Sequence, residues 1–154
     1  MSHLYNGLYA VYVLSSTVYT YSSRFSENPI MLRILPLVRE QGNSANKALT
    51  VVRLTLDVVR KQELHEYLSV IYRDEEAYDP LFRSWERYHH WHPSPLLQTV
   101  QEIMRQERLL HQQLVLLVPA IRALYGGQNA KYIIPPLLID EYNQEAGILN
   151  ELGK

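Results

Sequence analysis

Three histidines lie close together near the middle of the chain: His89, His90 and His92. Imidazole nitrogens are frequent zinc ligands, so this segment could contribute to a metal site. The spacing is poor for one, because neighbouring residues on a helix point about 100° apart. Large aromatic residues surround the histidines: Trp85, Tyr88 and Trp91. We therefore interpret the segment as an aromatic packing or subunit contact, with a zinc enzyme that uses the three histidines as the alternative.

The other catalytic patterns in the sequence are incomplete. His65-Glu66 looks like the start of a zinc-protease helix signature, but Ser69 stands where the second histidine is required. Gly126-Gly127 follows a predicted helix rather than opening one, so it cannot cradle a phosphate. The adjacent acids at 75–76 and 140–141 are typical of a solvated loop or a helix N-terminus, and the chain has no cysteine. The sequence therefore predicts no enzyme, no cofactor and no metal.

Basic residues concentrate in the first part of the chain: Arg24, Arg33, Arg39, Lys47, Arg53, Arg60 and Lys61. Up to residue 61 these seven face three acids, whereas eight basic residues face thirteen acids in the remainder, and the formal net charge is -1. That net charge gives no global attraction to nucleic acid or anionic lipid. The uneven distribution nevertheless suits a subunit that shows one face to an anion. We predict that these seven residues bind nucleic acid, with a plain solvated face as the alternative.

The first segment, Leu4 to Ser23, contains no charged residue. Tyrosines recur along it at helical spacing: Tyr5, Tyr9, Tyr12 and Tyr19. This pattern predicts a helix, although the valine, threonine and tyrosine content would also suit an extended arm. Serines, threonines and Asn6 interrupt the segment, which argues against a membrane span or a secretory signal. We predict that Tyr5, Tyr9 and Tyr12 contact other protein chains.

Caps and prolines divide the rest of the chain into predicted elements. Asn28 and Pro29 form a helix start, and Gly42 is predicted to end that helix. The elements predicted after it are a long helix over 44–73, an acidic loop over 74–80, a short aromatic helix over 81–91, a long helix over 95–125, an extended strap over 132–139 and a short helix over 140–152. The sequence predicts an all-α helical bundle with two long helices.

The two long helices are apolar on more than one side. Val51, Leu54 and Val58 lie opposite the main apolar stripe of the first, and the segment 114–118 of the second is apolar all round. An ordinary surface helix has a single apolar stripe, so the pattern predicts more neighbours than one small chain offers. We therefore expect the chain to pack against copies of itself or a homologous subunit.

The chain resembles the coat proteins of filamentous archaeal double-stranded DNA viruses. The similar features are the hydroxyl-rich segment Tyr21-Ser22-Ser23-Arg24-Phe25, the Asn28-Pro29 helix start and the length of 154 residues. The resemblance implies a small all-helical subunit that pairs and then polymerises around DNA in A form. It also implies that Arg24, Arg33 and Arg39 lie nearest the DNA, with Lys47, Arg53 and Arg60 continuing that surface.

These observations give one hypothesis and one alternative. The hypothesis is a single helical domain over 1–154, with an N-terminal arm or helix at 1–27, a core at 28–125 and a strap with a short helix at 126–154. It would coat double-stranded DNA through phosphate contacts in a virion assembled in the host cytoplasm, with a membrane only as an outer envelope. The alternative is a small helical inhibitor or adaptor that binds proteins through an aromatic hot spot at 85–92.

Overall fold

The computed structural model describes residues 2–91 and 95–152. Its helices are α1 (Ser2–Ser22), α2 (Pro29–Val52), α3 (Val58–Trp91), α4 (Leu97–Leu116), α5 (Val118–Tyr125), α6 (Gly127–Ala130) and α7 (Pro136–Leu152). A single 3-10 turn, Ser23–Phe25, joins α1 to α2. The described ranges contain no strand, so the prediction of an all-α fold is confirmed.

Helix α1 is part of the core rather than an arm that reaches away from it. It packs against α2 and α4, and its apolar stripe is buried: Leu4, Leu8, Val11 and Val18. The choice that the sequence left open between helix and extended arm is therefore decided in favour of a helix. None of the helices in the described ranges has the length and apolar character needed to cross a membrane.

The start of α2 is as predicted, but its end is not. The side chain of Asn28 accepts hydrogen bonds from the backbone N–H groups of Ile30 and Met31, which caps the helix. The helix then continues through Pro36 and Gly42 to Val52. A glycine suits position 42 because α1 crosses α2 closely there: a Cβ would lie 2.9 Å from Oγ of Ser15. The prediction that Gly42 ends the helix is wrong.

Helix α3 replaces two predicted helices and the acidic loop between them. The predicted helix 44–73 is divided at 53–57, and α3 then runs for 34 residues through the acidic segment and Pro80. The predicted loop at 74–80 is therefore wrong. Buried side chains continue at helical spacing across it: Ile71, Glu75, Tyr78, Phe82 and Trp85. Packing of this face overcomes the proline and the local charge.

The C-terminal part also differs from its prediction in two places. The predicted helix 95–125 is interrupted at Leu117, and Pro119 lies in the first turn of the new helix α5, where a proline is tolerated. The predicted extended strap is wrong for residues 136–139, because Pro136 begins α7 instead. Proline is favoured at a first helical position, since its φ already suits the helix and it lacks an amide proton that would have no partner there.

Most of the apolar surface that predicted further neighbours is buried within the chain itself. In the wholly apolar segment 114–118, only Leu116 is exposed. In the other predicted two-sided helix, Val51 is buried, whereas Leu54 and Val58 are exposed where α2 connects to α3. The expectation that segment 114–118 needs neighbours from other chains is therefore wrong. A small apolar patch at the α2 to α3 connection remains.

Candidate metal centre

Four side chains of types that bind metal ions lie together between α3 and α4. Glu75 and Asp79 come from α3, and Glu107 and His111 come from α4. Each pair is four positions apart, so both members lie on the same face of their helix. One ligand atom from each of the four residues lies within 4.8 Å of the other three. These four residues are called the carboxylate–histidine cluster below.

The cluster is mostly enclosed by protein. The side chains of Glu75 and Glu107 are buried, with 0% and 3% exposed, while Asp79 and His111 are partly buried. Carboxylates are among the groups least often buried without a partner, because removing the charge from water is costly. Two such groups on facing helices therefore need a proton or a cation between them.

His111 joins the cluster to α7. Its Nδ1 lies 2.8 Å from Oε1 of Glu75, and its Nε2 lies 2.8 Å from Oε2 of Glu141. An imidazole can donate from both nitrogens only when it is protonated. The hydrogen bond to Glu75 is the main reason that the pKa of His111 rises to about 9, although burial opposes the shift. His111 is thus held as a cation between two carboxylates when no metal is bound.

Glu107 is the buried carboxyl group that α4 contributes to the cluster. Burial raises its pKa to about 9, and both the negative charge of nearby Glu75 and a hydrogen bond between the two side chains add to the shift. Its Oε1 is enclosed, and no hydrogen-bond donor reaches it from the described residues. A buried acceptor without a partner costs about 1–3 kcal/mol. A cation placed among the four ligand atoms would offset the charge that Glu107 gains on ionisation.

A second layer of hydrogen bonds fixes Glu75. Gln41 of α2 donates from Nε2 to the backbone oxygen of Ile71, at 3.0 Å, and to Oε2 of Glu75, at 3.4 Å. The hydroxyl of Tyr78 donates to Oε1 of Gln41 at 2.7 Å. All of these side chains are buried, so the network orients Glu75 towards the cluster. Metal sites use such outer partners to hold their ligands in place.

A cavity of about 350 Å³ opens beside the cluster. Its lining combines acids, one arginine and apolar side chains: Glu75, Glu76, Asp79, Pro80, Arg83, His111, Leu137, Leu138 and Glu141. Three surface grooves elsewhere on the described residues are larger, two of about 720 Å³ and one of about 420 Å³. We favour the smaller cavity as the functional one, because it contains three of the four clustered ligands and the larger grooves contain none.

The donor set suits a divalent first-row metal ion. Three carboxylates and one imidazole supply oxygen and nitrogen ligands without sulfur, a combination that fits Mn²⁺, Fe²⁺ or Zn²⁺. Ligand bonds of about 2.0–2.2 Å place opposite ligand atoms roughly 4 Å apart, so the observed spacing needs only a small contraction. Because Asp79 and His111 also line the cavity, an ion here would have a coordination position open to a ligand.

The predicted nucleic-acid residues are spread rather than gathered. All seven belong to three stretches: Arg24 in the turn after α1, Arg33, Arg39, Lys47 and Arg53 on or at the end of α2, and Arg60 and Lys61 at the start of α3. Helix α2 has 24 residues and is therefore about 36 Å long, so the four cations on it or at its end are spread along its whole length.

Several of these cations have partners inside the chain. Arg53 donates to the hydroxyl of Tyr5 at 2.6 Å, and Arg60 pairs with Asp57 at 3.4 Å. Arg24 and Lys47 lie over tyrosine rings, at 5.4 Å and 5.9 Å from the ring centres. Arg33 and Arg39 are exposed, and neither has an ion pair within 2–91 or 95–152. The basic surface that is free for a ligand is thus smaller than the sequence implied.

The predicted protein-interface residues divide between core and surface. Trp85 is completely buried and packs edge-on against Phe25 at 5.0 Å, so its place in a surface hot spot is wrong. Tyr88 and Tyr9 are exposed, and Tyr5 and Tyr12 are half-buried. Trp91 ends α3, and its side chain lies outside the described part.

The histidine segment does not form a metal site in the part of the chain that the structure describes. The ring of His89 packs at 4.8 Å from the ring of Trp85 and at 5.5 Å from that of Phe25, while His90 is exposed. His92 lies outside the described residues. Among those residues, the histidine that joins a ligand cluster is His111, which no sequence motif indicated.

Comparisons of this chain with models of protein families, with curated proteins and with solved structures found no match. The geometry of the cluster is therefore the basis for the functional proposal.

Proposed function

We propose that this chain is a metal-binding helical protein that holds one divalent ion between α3 and α4. The observation that carries the proposal is the enclosed Oε1 of Glu107, which has no donor among the described residues and lies beside three other ligand side chains. In the metal-free chain a proton on Glu107 is shared with Glu75, the carboxylate to which it hydrogen-bonds. A divalent ion would take the place of this proton and would offset the buried charges of the neighbouring carboxylates.

In the proposed complex the ion is bound by Glu75, Asp79, Glu107 and Nδ1 of His111. Nδ1 is the nitrogen that faces Glu75, whereas Nε2 faces Glu141, which is not one of the four clustered residues. Binding removes the proton from Nδ1, and Nε2–H continues to donate to Glu141. A carboxylate on the second nitrogen is the usual way in which proteins orient a histidine ligand.

Titration of the full chain with a metal ion tests this proposal. The chain is stripped with a chelator, dialysed and titrated with Mn²⁺ or Zn²⁺ by isothermal calorimetry, and the bound metal is then counted by elemental analysis. We expect one ion per chain and a loss of binding in Glu107→Gln and His111→Ala. Glu102→Gln is the matched control on α4, because Glu102 is paired with Arg105 at the surface.

Two outcomes of the titration would contradict the metal-binding proposal. Equal metal binding by the wild type, Glu107→Gln and His111→Ala would overturn the proposal, as would no binding by a wild-type chain with a native helical circular dichroism spectrum. Because Glu107→Gln keeps the side-chain shape and, like the protonated Glu107, carries no charge at neutral pH, this variant should stay folded. A loss of binding in a folded Glu107→Gln chain therefore reports on the site itself.

A second candidate function is the DNA-coating subunit implied by the resemblance to filamentous virus coat proteins. The observation that favours it is the exposure of Arg33 and Arg39 on α2, together with the exposed Val58 and Val59 at the start of α3. In this proposal the cations bind phosphates and the apolar patch contacts a second subunit. This candidate concerns a different surface from the metal centre, so the two proposals are tested separately.

The coat proposal is tested by DNA binding at two salt concentrations. We expect the wild type to bind duplex DNA and to lose affinity steeply between 50 and 200 mM salt, as proteins that neutralise phosphates do. Arg33→Glu combined with Arg39→Glu should abolish this binding. Arg87→Glu on α3 is the control. Equal binding by the double variant, or a wild type that stays monomeric in light scattering with DNA present, would contradict the proposal.

A further inference from the structure

We propose that the cavity beside the metal centre binds a small organic monocarboxylate, with its carboxylate between the metal ion and Arg83. This inference rests on the proposed metal site and names the class of ligand that the site takes. It is carried by the position of Arg83, by the apolar wall of the cavity and by the acids at its rim.

Arg83 is placed to receive an anion. It lies one turn after Asp79 on α3 and lines the cavity, and its Nε lies 3.1 Å from Oδ2 of Asp79. The two terminal nitrogens of the guanidinium have no hydrogen-bond partner recorded from the described residues, and the side chain is 68% exposed. Arginine presents its donors as a planar fork that matches the two oxygens of a carboxylate. A metal ion on Asp79 would compete with Arg83 for that carboxylate, so the charge of Arg83 would be directed into the cavity.

The apolar part of the lining selects for an apolar body. Leu137 and Leu138 of α7 and Pro80 of α3 line the cavity, and Leu137 is 69% exposed. An exposed leucine that lines a cavity is stabilised when an apolar ligand covers it. A cavity of about 350 Å³ is at the small end of the range for ligand pockets, so the ligand is small.

The acids at the rim select for a single negative charge. Glu76 and Glu141 line the same cavity, and each repels an approaching anion. The repulsion is about twice as strong for a dianion such as phosphate as for a monocarboxylate, because it is proportional to the charge of the ligand. The combination of one arginine, two rim acids and an apolar wall therefore favours an organic monocarboxylate over an inorganic phosphate.

The test uses the full chain loaded with Mn²⁺ and two probes, butyrate and inorganic phosphate. Bound Mn²⁺ relaxes the protons of its coordinated water, so a ligand that displaces this water lowers the relaxation rate. We expect butyrate to lower it saturably and to bind more tightly than acetate, by about fourfold for each methylene group that becomes buried. Phosphate at the same concentration should have little effect.

Matched variants assign the effect to Arg83. Arg83→Gln should weaken butyrate binding about tenfold or more, the usual loss for a hydrogen bond to a charged group, while Mn²⁺ still binds. Arg87→Gln, one turn further along the exposed side of α3, should leave both unchanged. The inference is overturned if butyrate has no effect on the Mn²⁺-loaded chain, if phosphate displaces water and butyrate does not, or if Arg83→Gln binds butyrate as the wild type does. Failure of the chain to bind Mn²⁺ would instead overturn the proposed function, which the metal titration measures separately.

Discussion

Nδ1 of His111 lies 2.8 Å from Oε1 of Glu75, although 36 positions separate the two residues in the chain. The contact joins the middle of α4 to the middle of α3, at the level where Glu107 and Asp79 also face inward. Since all four side chains are carried by helices rather than loops, their relative positions are set by packing of the bundle. The site is therefore formed before any ligand binds.

The first prediction concerns the stability of the metal-free chain, which should fall as the pH rises from about 5 to about 9. The folded-state pKa of His111 is raised from 6.5 to about 9, so its contribution is complete below pH 6.5 and is lost as the pH rises through 9. The pKa of Glu107 is raised from 4.5 to about 9, so between these values the unfolded chain ionises first and unfolding is favoured. Both groups therefore act in the same direction.

Urea unfolding at pH 5.5, 7.0 and 8.5 with a chelator present measures this effect. We expect the urea concentration at the midpoint of unfolding to fall with each increase in pH. In Glu107→Gln this pH dependence should be weaker, because the amide cannot ionise. A midpoint that stays constant or rises across this range would contradict the prediction. The same series with Mn²⁺ present should show a smaller fall, because the metal replaces both protons.

The second prediction concerns the buried network behind Glu75. Tyr78→Phe removes the hydroxyl that donates to Gln41 at 2.7 Å, so Oε1 of Gln41 becomes a buried acceptor without that donor. We expect a loss of about 1–3 kcal/mol in the free energy of unfolding and a weaker affinity for metal. Tyr132→Phe is the control, because Tyr132 is 79% exposed. Equal stability of the two variants would show that the network contributes nothing.

The third prediction compares two glycines. Gly42→Ala places a Cβ 2.9 Å from Oγ of Ser15, so this buried hydroxyl must move and weaken its hydrogen bond to the backbone oxygen of Tyr12, and we expect destabilisation by about 1–3 kcal/mol. Gly147→Ala on α7 meets no atom within 4 Å, so it should stabilise the chain by about 0.5–1 kcal/mol through helix propensity. Thermal unfolding of the two variants measures the contrast. Opposite signs confirm the close crossing of α1 over Gly42, and equal signs contradict it.

Much of the helical fold follows from local patterns, whereas its boundaries depend on packing. Asn28 and Pro29 set the start of α2 because capping needs only neighbouring residues. Pro80 does not break α3, because Tyr78 and Phe82 on either side of it are buried in the bundle. The stabilisation that this burial gives to α3 cannot be inferred from the presence of the proline in the sequence. For the same reason, the acidic segment reads as a loop in sequence and is a helix in the folded chain.

One feature of the sequence could have indicated the candidate site. Glu107 stands between Ile103 and Leu110 in the apolar stripe of α4, where an acid interrupts positions that face the core. A glutamate in such a stripe points to a buried partner. The pairing of α4 with α3 was not predictable from the sequence, because residues 74–80 were assigned to a loop. The contact of Glu141 with His111 was equally unpredictable, because it depends on where α7 packs.

The last prediction isolates the role of Glu141. This residue accepts a hydrogen bond from Nε2 of His111 at 2.8 Å, and it is not one of the four clustered ligands, so in the proposed complex it would act on the metal through the imidazole. Glu141→Gln keeps the shape of the side chain and removes its charge. We expect the affinity for Mn²⁺ to fall about tenfold, and the pKa of His111 in the metal-free chain to fall, because one of the two carboxylates that favour the imidazolium is lost. Calorimetry and a proton NMR titration of His111 measure the two effects.

Asp140→Asn, the exposed neighbour at the start of α7, is the control. If Glu141→Gln lowers the pKa and leaves the metal affinity unchanged, His111 does not bind the ion through Nδ1 with Glu141 behind it, and the proposed ligand arrangement is wrong.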